Sequence, residues 1–176
     1  MATTETDAVT GARAELFPLA RPGSRVVVAG TWSHLEGSAL PAVPSVRTSV
    51  LDLASVLRDR AGMPEPNLRR VLNPGTPLEL GEAITRAAAT ATDSLVVYYA
   101  GHGLVGPDGR LYLATRLTHD LIEGLHYTAL PYAAVQHAVT GSPARAVAVI
   151  LDCCFSGRAD AAQGPMPLDP NRPTER

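Results

Sequence analysis

Two short apolar runs, each ending directly in a polar motif, constrain this chain more than any other feature. Ser94–Ala100 (SLVVYYA) leads into Gly101-His102-Gly103, and Ala146–Leu151 (AVAVIL) leads into Asp152-Cys153-Cys154-Phe155-Ser156-Gly157. Neither run alternates apolar with polar residues. Each therefore reads as a strand covered on both faces, which is the habit of parallel sheets flanked by helices. Arg25–Gly30 (RVVVAG) has the same character, and Leu68–Leu72, closed by Asn73-Pro74-Gly75, is a weaker strand. Val46, Val50, Leu53, Ala54 and Leu57 recur at helical spacing until Gly62 and Pro64 stop the pattern. Leu80, Ile84, Ala87, Ala88 and Ala91 mark a second amphipathic helix, and Pro131 opens a third that runs to about Val139. Pro107-Asp108-Gly109 is a turn from which Leu111-Tyr112-Leu113 returns as the short strand of a hairpin. The expected fold class is α/β, a three-layer αβα sandwich around a mostly parallel sheet.

Composition bounds the function. At 176 residues, 45% of them apolar and 18% charged, the chain can bury one domain's core. Fifteen basic against 17 acidic residues leave a net charge of −2, without the basic surface that nucleic-acid binding needs. All the basic residues are Arg, which excludes a P-loop lysine, a Schiff-base lysine and a Ser–Lys dyad. Cys153 and Cys154 are neighbours, so they close no loop and are too few for a thiolate zinc site. No apolar run approaches the roughly 20 residues of a membrane span. Residues 1–23 read as a polar, flexible leader, 24–157 as the domain, and 158–176 as a Pro-rich linker or tail. A cytoplasmic, reducing setting is expected, with no membrane and no nucleic-acid partner.

In open α/β sheets the chemistry gathers beyond the carboxyl ends of the strands. There a histidine can take the proton of a cysteine and lower its pKa. His102 and Cys154 meet only if their two strands are adjacent and parallel. Gly103, lacking a Cβ, can bring its N–H close to a developing oxyanion, or can simply permit a tight turn. Asp152 shares a face with Cys154 in an extended segment. Its carboxylate could anchor a substrate guanidinium, orient His102, or cap a following helix. Asp52 lies opposite the apolar stripe of the first helix.

A strand ending in Gly-His-Gly, followed about 50 residues later by a strand ending in Asp-Cys-Cys-Phe-Ser-Gly, resembles the caspase-like cysteine proteases. The likeness is closest to the metacaspase and bacterial branch. The resemblance implies a Cys154–His102 dyad, an oxyanion hole using the Gly103 N–H, and hydrolysis of peptide bonds in a protein or peptide substrate. It further implies cleavage after Arg or Lys, with Asp152, Asp52 and nearby Ser49 holding the basic residue. Phe155 stands where metacaspases usually have His. The acids Asp108, Asp120 and Asp160 are isolated, so no calcium site, other metal or cofactor is expected.

The resemblance covers residues 24–157, the large-subunit-like portion, without the family's last strands. A C-terminal small-subunit-like segment is therefore the partner it implies. The rival reading is a catalytically incomplete caspase-like interaction module, and a weaker one places the same dyad in a sensor-linked bacterial defence protein. Gly101-x-Gly103-x-x-Gly106 formally matches a dinucleotide fingerprint, but a turn follows it rather than a helix N-terminus. His34, His119, His126 and His137 show no metal-like spacing and read as surface or loop residues. Tyr98 and Tyr99 read as core or groove wall.

Overall fold

The structure, a computed structural model, describes residues 18–119 and 124–153. The leader up to residue 17, Asp120, Cys154 with the motif after it, and the tail 158–176 lie outside the described residues. Four strands, β1 (Arg25–Gly30), β2 (Leu68–Leu72), β3 (Ser94–Ala100) and β7 (Ala146–Asp152), form one parallel sheet in the order β2-β1-β3-β7. A second, antiparallel sheet joins β4 (Gly103–Val105), β5 (Leu111–Ala114) and β6 (Ala129–Pro131). The helices are α1 (Ser45–Asp59), α2 (Pro77–Thr90), α3 (Leu125–Thr128) and α4 (Tyr132–Thr140).

β1 shows why its run is continuously apolar. Val26 and Val28 face α1 with Val46, Val50, Ala54 and Leu68, while Val27 and Ala29 face the α2 and α4 side with Leu80, Ile84 and Val135. All four β1 residues are fully buried, because the strand has a neighbour on each edge and a helix layer on each face. α2 begins where its sequence says it should. The Thr76 hydroxyl accepts from the Glu79 N–H at 3.2 Å, Pro77 occupies the first turn, and the Glu79 carboxylate reaches back to the Gly75 N–H at 2.7 Å. The fold is thus α/β with helices on both faces of a parallel sheet.

Three features depart from the reading of the sequence. β7 has the composition of a central strand, yet among the described residues it is the outermost strand: Val147 is 43% and Ile150 50% exposed. Val149 and Leu151 pack toward the α2–α4 layer, but among the described residues no helix covers the opposite face. β6 and α3 carry too few residues for any periodicity to reveal them, and Pro131, which has no N–H to donate, suits the edge position of β6. Residues 18–23 are tied to the domain. Pro18–Ala20 forms a 3₁₀ turn, Ser24 donates to the Pro18 carbonyl at 2.9 Å, and the Gly23 carbonyl accepts from the Thr92 and Asp93 N–H groups.

Candidate active site

β3 and β7 are adjacent, parallel and in register up to the pair Ala100↔Asp152, and the Gly101 N–H donates to the Asp152 carbonyl at 3.2 Å. The two polar motifs therefore leave the sheet side by side at the same end. Gly101 makes the exit possible. Its φ is +149°, and a Cβ there would lie 2.7 Å from the Tyr99 hydroxyl and 2.9 Å from the Thr31 carbonyl.

His102 stands half-buried just past this exit, with Nε2 2.8 Å from the carbonyl of Pro41. A carbonyl only accepts, so Nε2 carries the hydrogen and the Nδ1 lone pair is left as the base. Pro41 sits in the long β1–α1 connection, which is fastened at several points. The Thr31 N–H donates to the Ala100 carbonyl, Val43 N–H closes onto Trp32, and the Ser38 hydroxyl reaches the Thr118 carbonyl. The Asn73 side chain accepts from the N–H groups of Trp32 and Ser33 at 3.0 and 3.2 Å.

The same connection carries a second histidine to the site. The His34 and His102 ring centroids are 5.6 Å apart, tilted by 34°. His34 Nδ1 is 3.0 Å from the Thr115 carbonyl, and its buried Nε2 has no hydrogen-bond partner among the described residues. Burial holds its pKa below the ordinary histidine value; the Thr115 carbonyl opposes this and the charge of His102 adds to it. His34 is a loop residue, as its sequence context suggests, but one partly buried against His102. Nothing in its spacing from His102 could have revealed it, because the contact exists only once the loop is folded.

Asp152 lies exposed on the α1 face of β7 and accepts a 2.9 Å hydrogen bond from the Tyr98 hydroxyl. Burial first, and then that carboxylate, push the tyrosine up to about 12. Of the roles open to Asp152, orienting His102 falls to Pro41 instead. Cys153 turns to the other face, into the α2–α4 core. It packs so closely on Gly103 that a Cβ there would lie 3.1 Å from Sγ and 3.2 Å from a Leu111 methyl. Packing therefore favours glycine at 103, since a Cβ would press on both neighbours.

Ser49 and Asp52 sit exposed on α1, whose buried stripe is Val46, Val50 and Ala54. Val46 and Val50 lie over Gly30 at the carboxyl end of β1, which places the start of α1 near the site end of the sheet. No hydrogen bond or ion pair joins Ser49 or Asp52 to Asp152 or His102 among the described residues. The Gly-x-Gly-x-x-Gly stretch enters β4 rather than a helix. Among the described residues no group of three or more His, Cys, Asp or Glu could hold a metal ion, and no helix is long and apolar enough to cross a membrane. Two clefts of about 590 and 370 Å³, lined largely by α2, contain none of the groups named here. No protein-family model matches the chain, and no curated protein matches it.

Among the described residues the arrangement is an imidazole whose tautomer is set by a carbonyl, at the sheet end where Asp152 turns to one face and Cys153 to the other.

Proposed function

We propose that this chain is the large-subunit-like portion of a caspase-like cysteine endopeptidase acting after Arg or Lys, in a cytoplasmic setting. The observation that carries the reading is the 2.8 Å contact from His102 Nε2 to Pro41, at the sheet end where β7 runs out at Asp152 beside β3. Cys153 faces the core and Asp152 the opposite face, as alternation along a strand requires.

In the proposed reaction His102 Nδ1 takes the Cys154 proton, and the thiolate sulfur bonds to the substrate carbonyl carbon. The carbonyl π electrons move to oxygen, where the Gly103 N–H stabilises the charge. The tetrahedral intermediate collapses by breaking the C–N bond, and the leaving amine takes its proton from His102. Water then hydrolyses the thioester, giving up a proton to His102 and regenerating the thiol. Asp152, held by Tyr98, supplies one oxygen to the guanidinium of the substrate, with Asp52 and Ser49 at the rim.

The test is cleavage of fluorogenic peptides ending in Arg, Lys or Asp, beside the Cys154→Ala variant. Turnover after Arg that vanishes in the variant supports the reading; turnover insensitive to Cys154 overturns it. A second reading, an incomplete module that needs a small-subunit-like segment or partner, is favoured by the exposed apolar edge of β7. Silence of the chain alone, with activity on adding such a segment, selects it.

A further inference from the structure

One loop grips His102 from two sides. The Pro41 carbonyl holds Nε2, and the His34 ring stands 5.6 Å from the His102 ring, within the range of packed aromatic pairs. His34 is itself pinned, because its Nδ1–H donates to Thr115, at the end of β5, rather than to anything on its own loop. That leaves Nε2 as a lone pair, and this atom is buried with no partner among the described residues. A buried ring nitrogen with no protein donor to satisfy it carries a cost, and such costs persist where the group does something.

We propose that His34 is a positioning residue for His102: its neutral ring, anchored on Thr115, is the wall that keeps the His102 ring on the Pro41 carbonyl, with Nδ1 as the basic nitrogen. This rests on the proposed protease reading only for its effect on turnover; the geometric part stands on the two rings. His34 serves in the neutral form alone. Protonation at Nε2 places a buried N–H without an acceptor, and sets a second cation beside the imidazolium that His102 becomes when it takes the thiol proton. The charged group acting on His34 is His102, and no carboxylate among the described residues offsets it.

Three variants of the whole chain test this. His34→Ala removes the wall, His34→Phe restores a ring that cannot titrate, and His34→Asn keeps a donor for Thr115 without the ring. The first readout needs no activity: the ring nitrogen shifts of His102 by NMR. A single Nε2–H tautomer is expected in the wild type and His34→Phe, and a mixture in His34→Ala and His34→Asn. The second is kcat/KM against pH on an Arg peptide. About a tenfold or larger loss is expected for His34→Ala with KM little changed. Partial recovery is expected in His34→Phe, together with an acid limb that extends to lower pH. An unchanged His102 tautomer in all three variants overturns the proposal. If the wild type turns over no peptide, the protease reading fails by itself, and the NMR result still decides the role of His34.

Discussion

The two edges of the parallel sheet are built differently. β2 exposes Arg69 and Arg70 between its buried Leu68 and Val71, and Arg70 pairs with Glu65. Charged side chains of this kind keep an edge strand from recruiting another. β7 has no charged residue from Ala146 to Leu151, and it presents Val147 and Ile150 to solvent. One edge is guarded and the other has the composition of a strand with neighbours on both sides. The candidate site lies at the unguarded edge, where Asp152 and Cys153 leave β7. Among the described residues, the candidate site and the apolar outer strand are therefore parts of one region, while β2 is bordered by charged side chains.

The largest expected effect separates the residues at that edge from one another. Cys154→Ala and His102→Ala each should lower kcat/KM by about 10³ or more, whereas Cys153→Ala keeps most activity because its thiol faces the core. Equal loss from Cys153→Ala, with circular dichroism unchanged, would move the nucleophile by one residue. Gly103→Ala should destabilise the fold by about 1–3 kcal/mol, read as a lower denaturation midpoint, since Cys153 and Leu111 leave its Cβ only 3.1–3.2 Å. An unshifted midpoint means that Cys153 can move aside, and with it the register of the motif.

The edge comparison itself is broken or sharpened by a matched pair of substitutions. Ile150→Lys on β7 should reduce self-association in sedimentation velocity, while Leu72→Lys on β2 should leave it unchanged; both sites are exposed, 50% and 42%, so stability should change by only about 0.5 kcal/mol. Equal effects would erase the distinction. Tyr98→Phe removes the hydroxyl that donates to Asp152 and should raise KM for an Arg peptide severalfold at constant kcat.

The smallest effect is in stability against pH. His34 binds its proton less readily folded than unfolded, so as pH falls below about 6.5 the unfolded chain takes up the proton first. Stability due to this group is intact above that pH and declines as pH drops toward the lowered folded value. Thermal melts between pH 7.5 and 5 should show a steeper decline for the wild type than for His34→Asn; parallel curves would mean that His34 is as free to titrate as a surface histidine.

Much of the fold was legible before any coordinates. Continuous apolar runs and 3.6-residue periodicity located β1, β2, β3, β7, α1, α2 and α4, because burial of both faces or of one stripe leaves a local pattern, and the Pro107-Asp108-Gly109 turn located β5 as the return of a hairpin. β6 and α3 left none, being three and four residues long. In the site, His102 and the paired cysteines announced themselves by standing at strand ends. The groups that touch His102 did not: Pro41 acts through a backbone carbonyl, which no residue type advertises, and His34 lies in a loop with no regular spacing.

The sequence by itself determined that helices would cover both faces of a parallel sheet and that His102 and the cysteine pair would sit at strand carboxyl ends. These follow from side-chain burial and strand polarity, which are local. Only the tertiary structure decided the strand order that makes β3 and β7 neighbours, the edge position that leaves Ile150 exposed, and the loop path that brings Pro41 and His34 to either side of one imidazole. Those depend on contacts between residues tens of positions apart, whose free energy is shared across the whole core and written in no single segment of the chain.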